Sequence, residues 1–100
     1  MSRAMIDVMT ERARQQSAEG WTVEHDDQHS PGELMIAACC YALAKPGESA
    51  PDSWPWDEMH WKPKDTRRNL VRAAALIVAE IERMDRAAER AASEPPTKEE

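Results

Sequence analysis

The side chains best suited to chemistry lie in the hexapeptide EHDDQH, residues 24–29. His25 and His29 are four positions apart, a spacing that places two imidazoles on one face of a helix. Asp26 and Asp27 add carboxylate oxygens, which suit harder divalent cations. The four residues therefore form a candidate metal site. A complete site also needs a closed ligand set, which spacing alone does not show.

The flanking residues predict that this hexapeptide is a loop. Gly20 precedes it and offers a left-handed stop to a helix, while Ser30 and Pro31 follow and are typical of the start of another helix. In a loop, a spacing of four fixes no geometry. The alternative interpretation is that the two aspartates pair with arginines, Arg67 and Arg68, and that the histidines bond to the backbone.

A second candidate site is the basic run KPKDTRRNLVR, residues 62–72. Lys62, Lys64, Arg67 and Arg68 lie at a predicted helix start, where the helix dipole is already positive. Basic groups there favour a nearby anion. The anion is either internal, supplied by the aspartates of the hexapeptide, or external, such as a phosphate held by amides and guanidiniums.

Three tryptophans, Trp54, Trp56 and Trp61, lie just before this basic run. Their rings could stack on a nucleobase, or they could instead staple a loop onto a small core. A stacking surface beside a phosphate site predicts a nucleotide-sized ligand. The predicted ligand-binding residues are Trp21, His25, Asp27, Trp54, Trp56, Trp61, Lys62, Lys64, Arg67 and Arg68.

Other chemistries have weaker support. The chain has only three glycines and no Gly-rich phosphate loop, and no serine lies in a glycine elbow, so we predict no covalent catalysis. The pairs Glu24/Asp27 and Glu82/Asp85 have the E-x-x-D spacing of a metal-dependent phosphohydrolase. No cofactor is predicted, except that a divalent metal remains possible in the hexapeptide.

Composition predicts a single soluble domain. The chain has 100 residues, 41% of them hydrophobic, and a net charge of −6, which gives no reason to expect DNA or RNA duplex binding. It contains no signal-peptide pattern and no apolar span of 18 residues, so we expect no membrane partner and a cytoplasmic location. Cys39 and Cys40 are predicted to be buried free thiols.

The hydrophobic pattern predicts an all-α fold: a compact three-helix domain over residues 1–93, followed by a disordered tail at 94–100. The first helix covers residues 3–18, with Met5 and Met9 facing the core. The second runs from an N-cap at Ser30 to about Ala44; it is apolar nearly all round and is predicted to be the most buried. Residues 45–64 form a long, ordered Trp/Pro-rich loop.

The third predicted helix runs from about residue 66 to 92, with Asp65 or Thr66 as its cap. Its apolar residues alternate spacings of four and three, as in a coiled coil. We favour packing of this seam against the first two helices, and a homodimer seam is the alternative. The seam residues are Leu70, Ala74, Ile77, Ile81, Met84 and Ala88.

Two long strings resemble a family of small, uncharacterised phage and prophage proteins. They are EGWTVEHDDQHSPGELMIAACCYA, residues 19–42, and WPWDEMHWKPKDTRRNLVRAAALIVAEIERMDR, residues 54–86. The resemblance covers about residues 11–86. It implies a protein that acts in the cytoplasm of a bacterial host, where a host protein bound through the tryptophan loop is a further candidate partner.

The Gly20-Trp21 pair after the first helix and the charged loop after it distantly resemble the ryanodine-receptor repeat (RyR) domain, although Thr22 replaces the usual aromatic residue. RyR-type modules are implicated in binding adenine nucleotides and in nucleotide-signalling conflicts between phage and host. The resemblance implies a helical module with an anti-defence role that binds a phosphorylated nucleotide-like signal, with Trp21 at its pocket. A metal-dependent nucleotide pyrophosphohydrolase is the alternative.

Overall fold

The computed structural model describes residues 1–28 and 32–93, and this part of the chain is all-α. It contains four α-helices and one short 3₁₀ turn at Glu58–His60. The helices are α1 (Arg3–Ala18), α2 (Val23–Gln28), α3 (Glu33–Leu43) and α4 (Thr66–Ser93). The prediction of an all-α fold is confirmed. The additional helix is α2, which forms where the sequence predicted a loop.

Capping residues set the ends of α1 and α4. The Ser2 hydroxyl accepts a hydrogen bond from the Met5 amide at 3.1 Å, which satisfies one free donor of the first turn of α1. The Asp65 carboxylate accepts a hydrogen bond from the Arg68 amide at 3.0 Å in the same way. Of the two predicted caps of α4, Asp65 is therefore the one that caps the helix. Gly20, at φ 76°, turns the chain away after α1.

The helix α3 begins directly after Gly32, whose φ of 100° favours glycine. The predicted N-cap Ser30 and the adjacent Pro31 lie outside the described residues, as does the predicted tail at 94–100. Leu34 and Tyr41 of α3 are buried, whereas Met35 and Leu43 are exposed.

The central helix is α4, because it packs against each of the other three helices. The apolar α3 nevertheless has the largest buried fraction, as predicted, with five of its 11 residues buried against eight of the 28 residues of α4. One side of α3 packs on α4 and the aromatic loop, and its other side faces solvent. Cys40 is buried and Cys39 is exposed, so only one of the two free thiols is buried as predicted.

The helix α1 turns its polar side inward, which also contradicts the prediction. Met5 and Met9 are exposed, while Glu11, Arg12 and Gln15 are buried against α2 and α4. The apolar seam of α4 is also on the surface, so packing within the protomer does not use it. Ion pairs, described below, make the polar side of α1 the better inner face.

The long loop is ordered around the core, as predicted. Trp54 is buried, Trp56 and Trp61 pack against the same cluster, and Tyr41 of α3 lies among them. Within the described residues, no helix is long and apolar enough to cross a membrane.

Candidate functional site: an aromatic pocket between the α1–α2 segment and the tryptophan loop

An aromatic pocket of about 320 Å³ opens between two segments that are distant in the sequence. One wall comes from the end of α1 and from α2, and the other comes from the tryptophan loop. The pocket is lined by Glu19, Trp21, His25, Trp56, Asp57 and His60. Its volume lies at the lower end of the range for small-molecule sites.

Four rings surround this pocket. The Trp21 and Trp56 ring centroids are 4.9 Å apart with planes at 49°, and the His25 ring is 5.7 Å from Trp56 at a steep angle. The Trp21 ring lies 6.3 Å from His25 and 6.1 Å from His60. Rings at these separations attract one another. Trp21 is almost completely buried, whereas Trp56, His25 and His60 are half-buried.

Hydrogen bonds hold the two tryptophans in place. The Trp21 amide donates to the Gln15 carbonyl at 2.9 Å, and the Trp21 carbonyl accepts from Arg12 at 3.4 Å. The Trp56 indole N–H donates to the Glu33 carboxylate at 3.2 Å, which ties the loop to the start of α3. Both walls are therefore fixed by polar contacts that use backbone groups and the indole N–H rather than the ring faces.

Glu19 is the main charged group of the pocket. Its carboxylate accepts hydrogen bonds from Arg14 and Lys62, each at 3.1 Å, and lies 3.6 Å from His60 Nδ1. Burial alone would raise the pKa of Glu19, but the hydrogen bonds and charges of Lys62 and Arg14 outweigh it and lower the pKa. Glu19 is therefore ionised at neutral pH and links the pocket to Lys62.

The predicted tryptophans divide into two groups. Trp56 lines the pocket with Trp21, whereas Trp54 and Trp61 pack on Tyr41, with ring centroids 5.4 and 4.8 Å away. Their indole N–H groups donate to the carbonyls of Asp57 at 3.1 Å and Glu48 at 2.8 Å. Trp54 and Trp61 thus support the loop from behind, as the stapling alternative proposed.

The predicted basic cluster is neutralised largely by acids of α1 and its C-terminal end. Arg67 pairs with Asp7 at 2.8 Å, and Arg68 pairs with the buried Glu11. Lys62 pairs with Glu19, as described above, and Lys64 is exposed. The predicted pairing of these arginines with Asp26 and Asp27 is therefore wrong.

The two aspartates have other partners. Asp26 is fully buried and accepts from Arg12 at 3.0 Å, with His25 Nδ1 3.1 Å away. Asp27 points to α4, where Arg86 binds it at 2.7 Å and Arg90 at 3.5 Å. Because α2 is helical, adjacent aspartates point in different directions and meet different helices.

These pairings turn Asp26 and Asp27 of the predicted metal site towards different helices. Within residues 1–28 and 32–93, no group of three or more His, Cys, Asp or Glu side chains is placed to hold a metal ion. The fourth candidate ligand, His29, lies outside the described residues. Of the E-x-x-D pairs, Glu82 is bound to Arg12 at 3.1 Å, and Glu24 is exposed.

Sequence reasoning missed three residues of the pocket: Glu19, Asp57 and His60. His60 could have been found from sequence, because it lies between Trp56 and Trp61 in a segment that was already predicted to be ordered. Glu19 and His60 are far apart in the sequence, and only the closure of the loop over α1 brings them together.

A larger apolar groove of about 520 Å³ lies on the outer side of α3. It runs between exposed side chains of that helix, such as Met35, Ile36 and Leu43, and Pro51 of the loop. None of the predicted ligand-binding residues lines it.

Comparisons with protein-family models, curated proteins and solved structures gave no match to this chain. The case for a function therefore depends on the geometry of the aromatic pocket.

Proposed function

We propose that this protein is a small helical binding module for a nucleotide-like molecule, whose base occupies the aromatic pocket. The observation that supports this most strongly is the set of four rings, two indoles and two imidazoles, around one pocket of about 320 Å³. Indole faces stack on any nucleobase, at about 1–3 kcal/mol per base. A flat ligand is the kind that such walls bind best.

The acidic groups at the pocket favour a base with an exocyclic amine. The Asp57 carboxylate already accepts a hydrogen bond from the Met59 amide at 3.0 Å, and it retains acceptor capacity for a second donor. Glu19 is ionised and also lines the pocket. Carboxylates accept from amino groups and ribose hydroxyls, so adenine nucleosides and nucleotides fit better than bases without an amine.

The phosphate end of the ligand would contact Lys62, with Lys64 two residues further along. Arg67 and Arg68 are already paired with Asp7 and Glu11, so they are poorer candidates than the sequence suggested. Lys62 does not line the pocket, but its ammonium lies 3.1 Å from the carboxylate of Glu19, which does. A phosphate there would share the Lys62 ammonium with Glu19, which favours a ligand with few phosphates.

Sequestration of a signalling nucleotide requires binding and no turnover. We include in the proposal the role implied by the phage resemblance, in which the protein withholds such a signal inside a bacterial host. The resemblance to the RyR domain, at Gly20-Trp21, points to the same ligand class.

The test is calorimetry and thermal shift with adenosine, AMP, ADP, ADP-ribose and a cyclic dinucleotide. A ligand at 100 times its dissociation constant should stabilise the fold by about 2.7 kcal/mol. Trp56→Ala should weaken binding by about 1–3 kcal/mol. Met59→Ala is the matched control, because Met59 is exposed on the same turn and does not line the pocket.

A second pair of variants tests the phosphate end. Lys62→Gln should weaken AMP binding and leave adenosine binding nearly unchanged, whereas Lys45→Gln, at an exposed lysine elsewhere, should change neither. If none of the ligands binds, or if Trp56→Ala and Met59→Ala behave alike, the proposal is wrong. Hydrolysis of ADP-ribose by the protein with manganese would favour the phosphohydrolase instead.

A further inference from the structure

The outer side of α4 is an apolar ridge that the protomer leaves exposed. Four large side chains on it are 38–55% exposed, at positions separated by seven, four and three residues. They are Leu70, Ile77, Ile81 and Met84. With Ala74 and Ala88 they form the heptad-like seam, which extends for about 27 Å at 1.5 Å per residue.

The helix α1 extends this ridge sideways. Met5 and Met9 are more than half exposed, and Met9 lines a groove of about 190 Å³ between α1 and α4. Val8 and Val78 form the apolar part of the same groove. We call this surface, the seam of α4 with Met5 and Met9, the α1/α4 face.

Two arginines of α4 are held by carboxylates within the protomer. Arg86 reaches Asp27 of α2, and Arg83 binds Glu80 at 2.7 Å. These two arginines therefore add no unpaired charge to the ridge. Monomeric proteins rarely expose a contiguous apolar patch larger than a few hundred Å².

We propose that a second copy of this chain covers the α1/α4 face, with the two α4 helices packed antiparallel about a two-fold axis. Helices whose apolar residues alternate spacings of four and three pack against each other with interlocking side chains. The seam of α4 has this spacing. In the antiparallel arrangement, the small Ala74 and Ala88 meet the large Met84 and Leu70, and Ile77 meets Ile81. The seam is thus complementary in size to the same seam of an antiparallel second copy.

Charge complementarity favours the same orientation. The exposed charged groups near the start of α4 are net basic, with Lys64 and Arg67 against Asp65, and those near its end are net acidic, with Asp85 and Glu89 against Arg90. An antiparallel pair brings each basic end towards the partner's acidic end, and it also aligns the helix dipoles favourably. A parallel pair would place like charges together. This inference does not rest on the ligand proposal, since no residue of the aromatic pocket belongs to the α1/α4 face.

The test is sedimentation velocity and native mass spectrometry of the full chain over a range of concentrations. We expect a dimer for the unmodified protein and a monomer for Ile81→Glu, with unchanged helicity because Ile81 is exposed in the protomer. Leu43→Glu is the matched control: it places the same charge at an exposed apolar residue of α3 and should remain dimeric. A monomer for the unmodified protein, or dissociation by Leu43→Glu alone, would overturn the proposal.

Disulfide trapping tests the orientation, with Cys39→Ser as background because Cys39 is the exposed thiol. Leu70→Cys mixed with Ala88→Cys should give a mixed disulfide-linked dimer under mild oxidation. Leu70→Cys alone should not couple to itself. Efficient self-coupling at residue 70 would indicate a parallel pair and contradict the antiparallel arrangement.

Discussion

The interfaces that α4 makes with α1 and with α3 are held by different interactions. Its interface with α1 is polar: Glu11 and Gln15 are almost completely buried there, and Glu11 is surrounded by Arg14, Arg68 and Arg72. Its interface with α3 and the loop is apolar, built on Leu76 and the aromatic cluster of Tyr41.

The difference shows that a small domain can use specific ion pairs on one side of a helix and apolar packing on the opposite side. Burial of Glu11 is tolerable only because several cations satisfy it, so the α1 interface depends on complete pairing. The apolar interface gains its energy from many weak contacts and tolerates small changes in shape. A substitution should therefore act more sharply on the polar interface than its size suggests.

The largest expected effect comes from removing the centre of the polar interface. Glu11→Ala strands Arg14, Arg68 and Arg72, and breaking a buried pair in this way costs about 3–5 kcal/mol. Urea denaturation at neutral pH would measure it. Asp7→Ala is the control on the same helix, because the Asp7–Arg67 pair is partly exposed and should contribute about 1 kcal/mol or less. Equal losses for the two variants would contradict this view of Glu11.

In the apolar interface, Leu76→Ala removes a side chain that is 1% exposed. The lost burial and the resulting cavity should cost about 2–5 kcal/mol in unfolding free energy. Leu70→Ala, the same change at a half-exposed residue of the same helix, should cost clearly less. Equal losses of unfolding free energy for Leu76→Ala and Leu70→Ala would mean that Leu70 is as buried as Leu76 in a dimer. Measurements on protein diluted to the monomer should then give a smaller loss for Leu70→Ala.

Tyr41→Phe tests the hydroxyl group placed in the aromatic cluster. The Tyr41 hydroxyl donates to the His60 carbonyl at 3.1 Å and accepts from the Lys62 amide at 2.9 Å. Its loss leaves both backbone groups without this partner, which should cost about 1–3 kcal/mol. Thermal unfolding would show this loss. Nucleotide affinity should fall as well, since both backbone contacts belong to the loop that carries His60. A neutral effect on stability would mean that water replaces the hydroxyl.

The smallest expected effect concerns the partly exposed pair of Asp27 and Arg86, which joins α2 to α4. Hydrogen bonding from Arg86 lowers the pKa of Asp27 below its ordinary value of 3.8, more than partial burial raises it. A carboxylate whose pKa is lower in the folded state stabilises the fold at pH values above its unfolded-state pKa. This contribution is lost as pH falls through the folded-state pKa. Asp27→Asn should therefore cost about 1 kcal/mol or less at pH 7.

Thermal unfolding from pH 7 to pH 2 would check that prediction. The gap in melting temperature between Asp27→Asn and the unmodified protein should close in acid, as the Asp27 carboxylate takes up its proton. A gap that persists unchanged at pH 2 would show that the substituted amide disturbs packing, and that the effect is not the loss of a charge.

The pocket was only partly predictable from sequence. Trp21, His25 and Trp56 were expected to contribute to a ligand site, and the structure places all three around one pocket. Arg67 and Arg68 had the residue types of a phosphate site, but their charges are used on α1. Residue type thus indicated which groups could bind a ligand, and long-range pairing decided which of them remain available.

The features that could be predicted from sequence alone are those set by local interactions. The helix α1 occupies the predicted span, Asp65 caps α4 as predicted, and the tryptophan loop is ordered, because caps, periodicity and apolar density act within a few residues. Tertiary structure decided which side of each helix faces inward. Glu11 and Arg68 are 57 positions apart, and their pairing turns the polar side of α1 inward and leaves Met5 and Met9 outside. Hydrophobic periodicity describes one helix at a time, and it contains no information about a charge supplied by another.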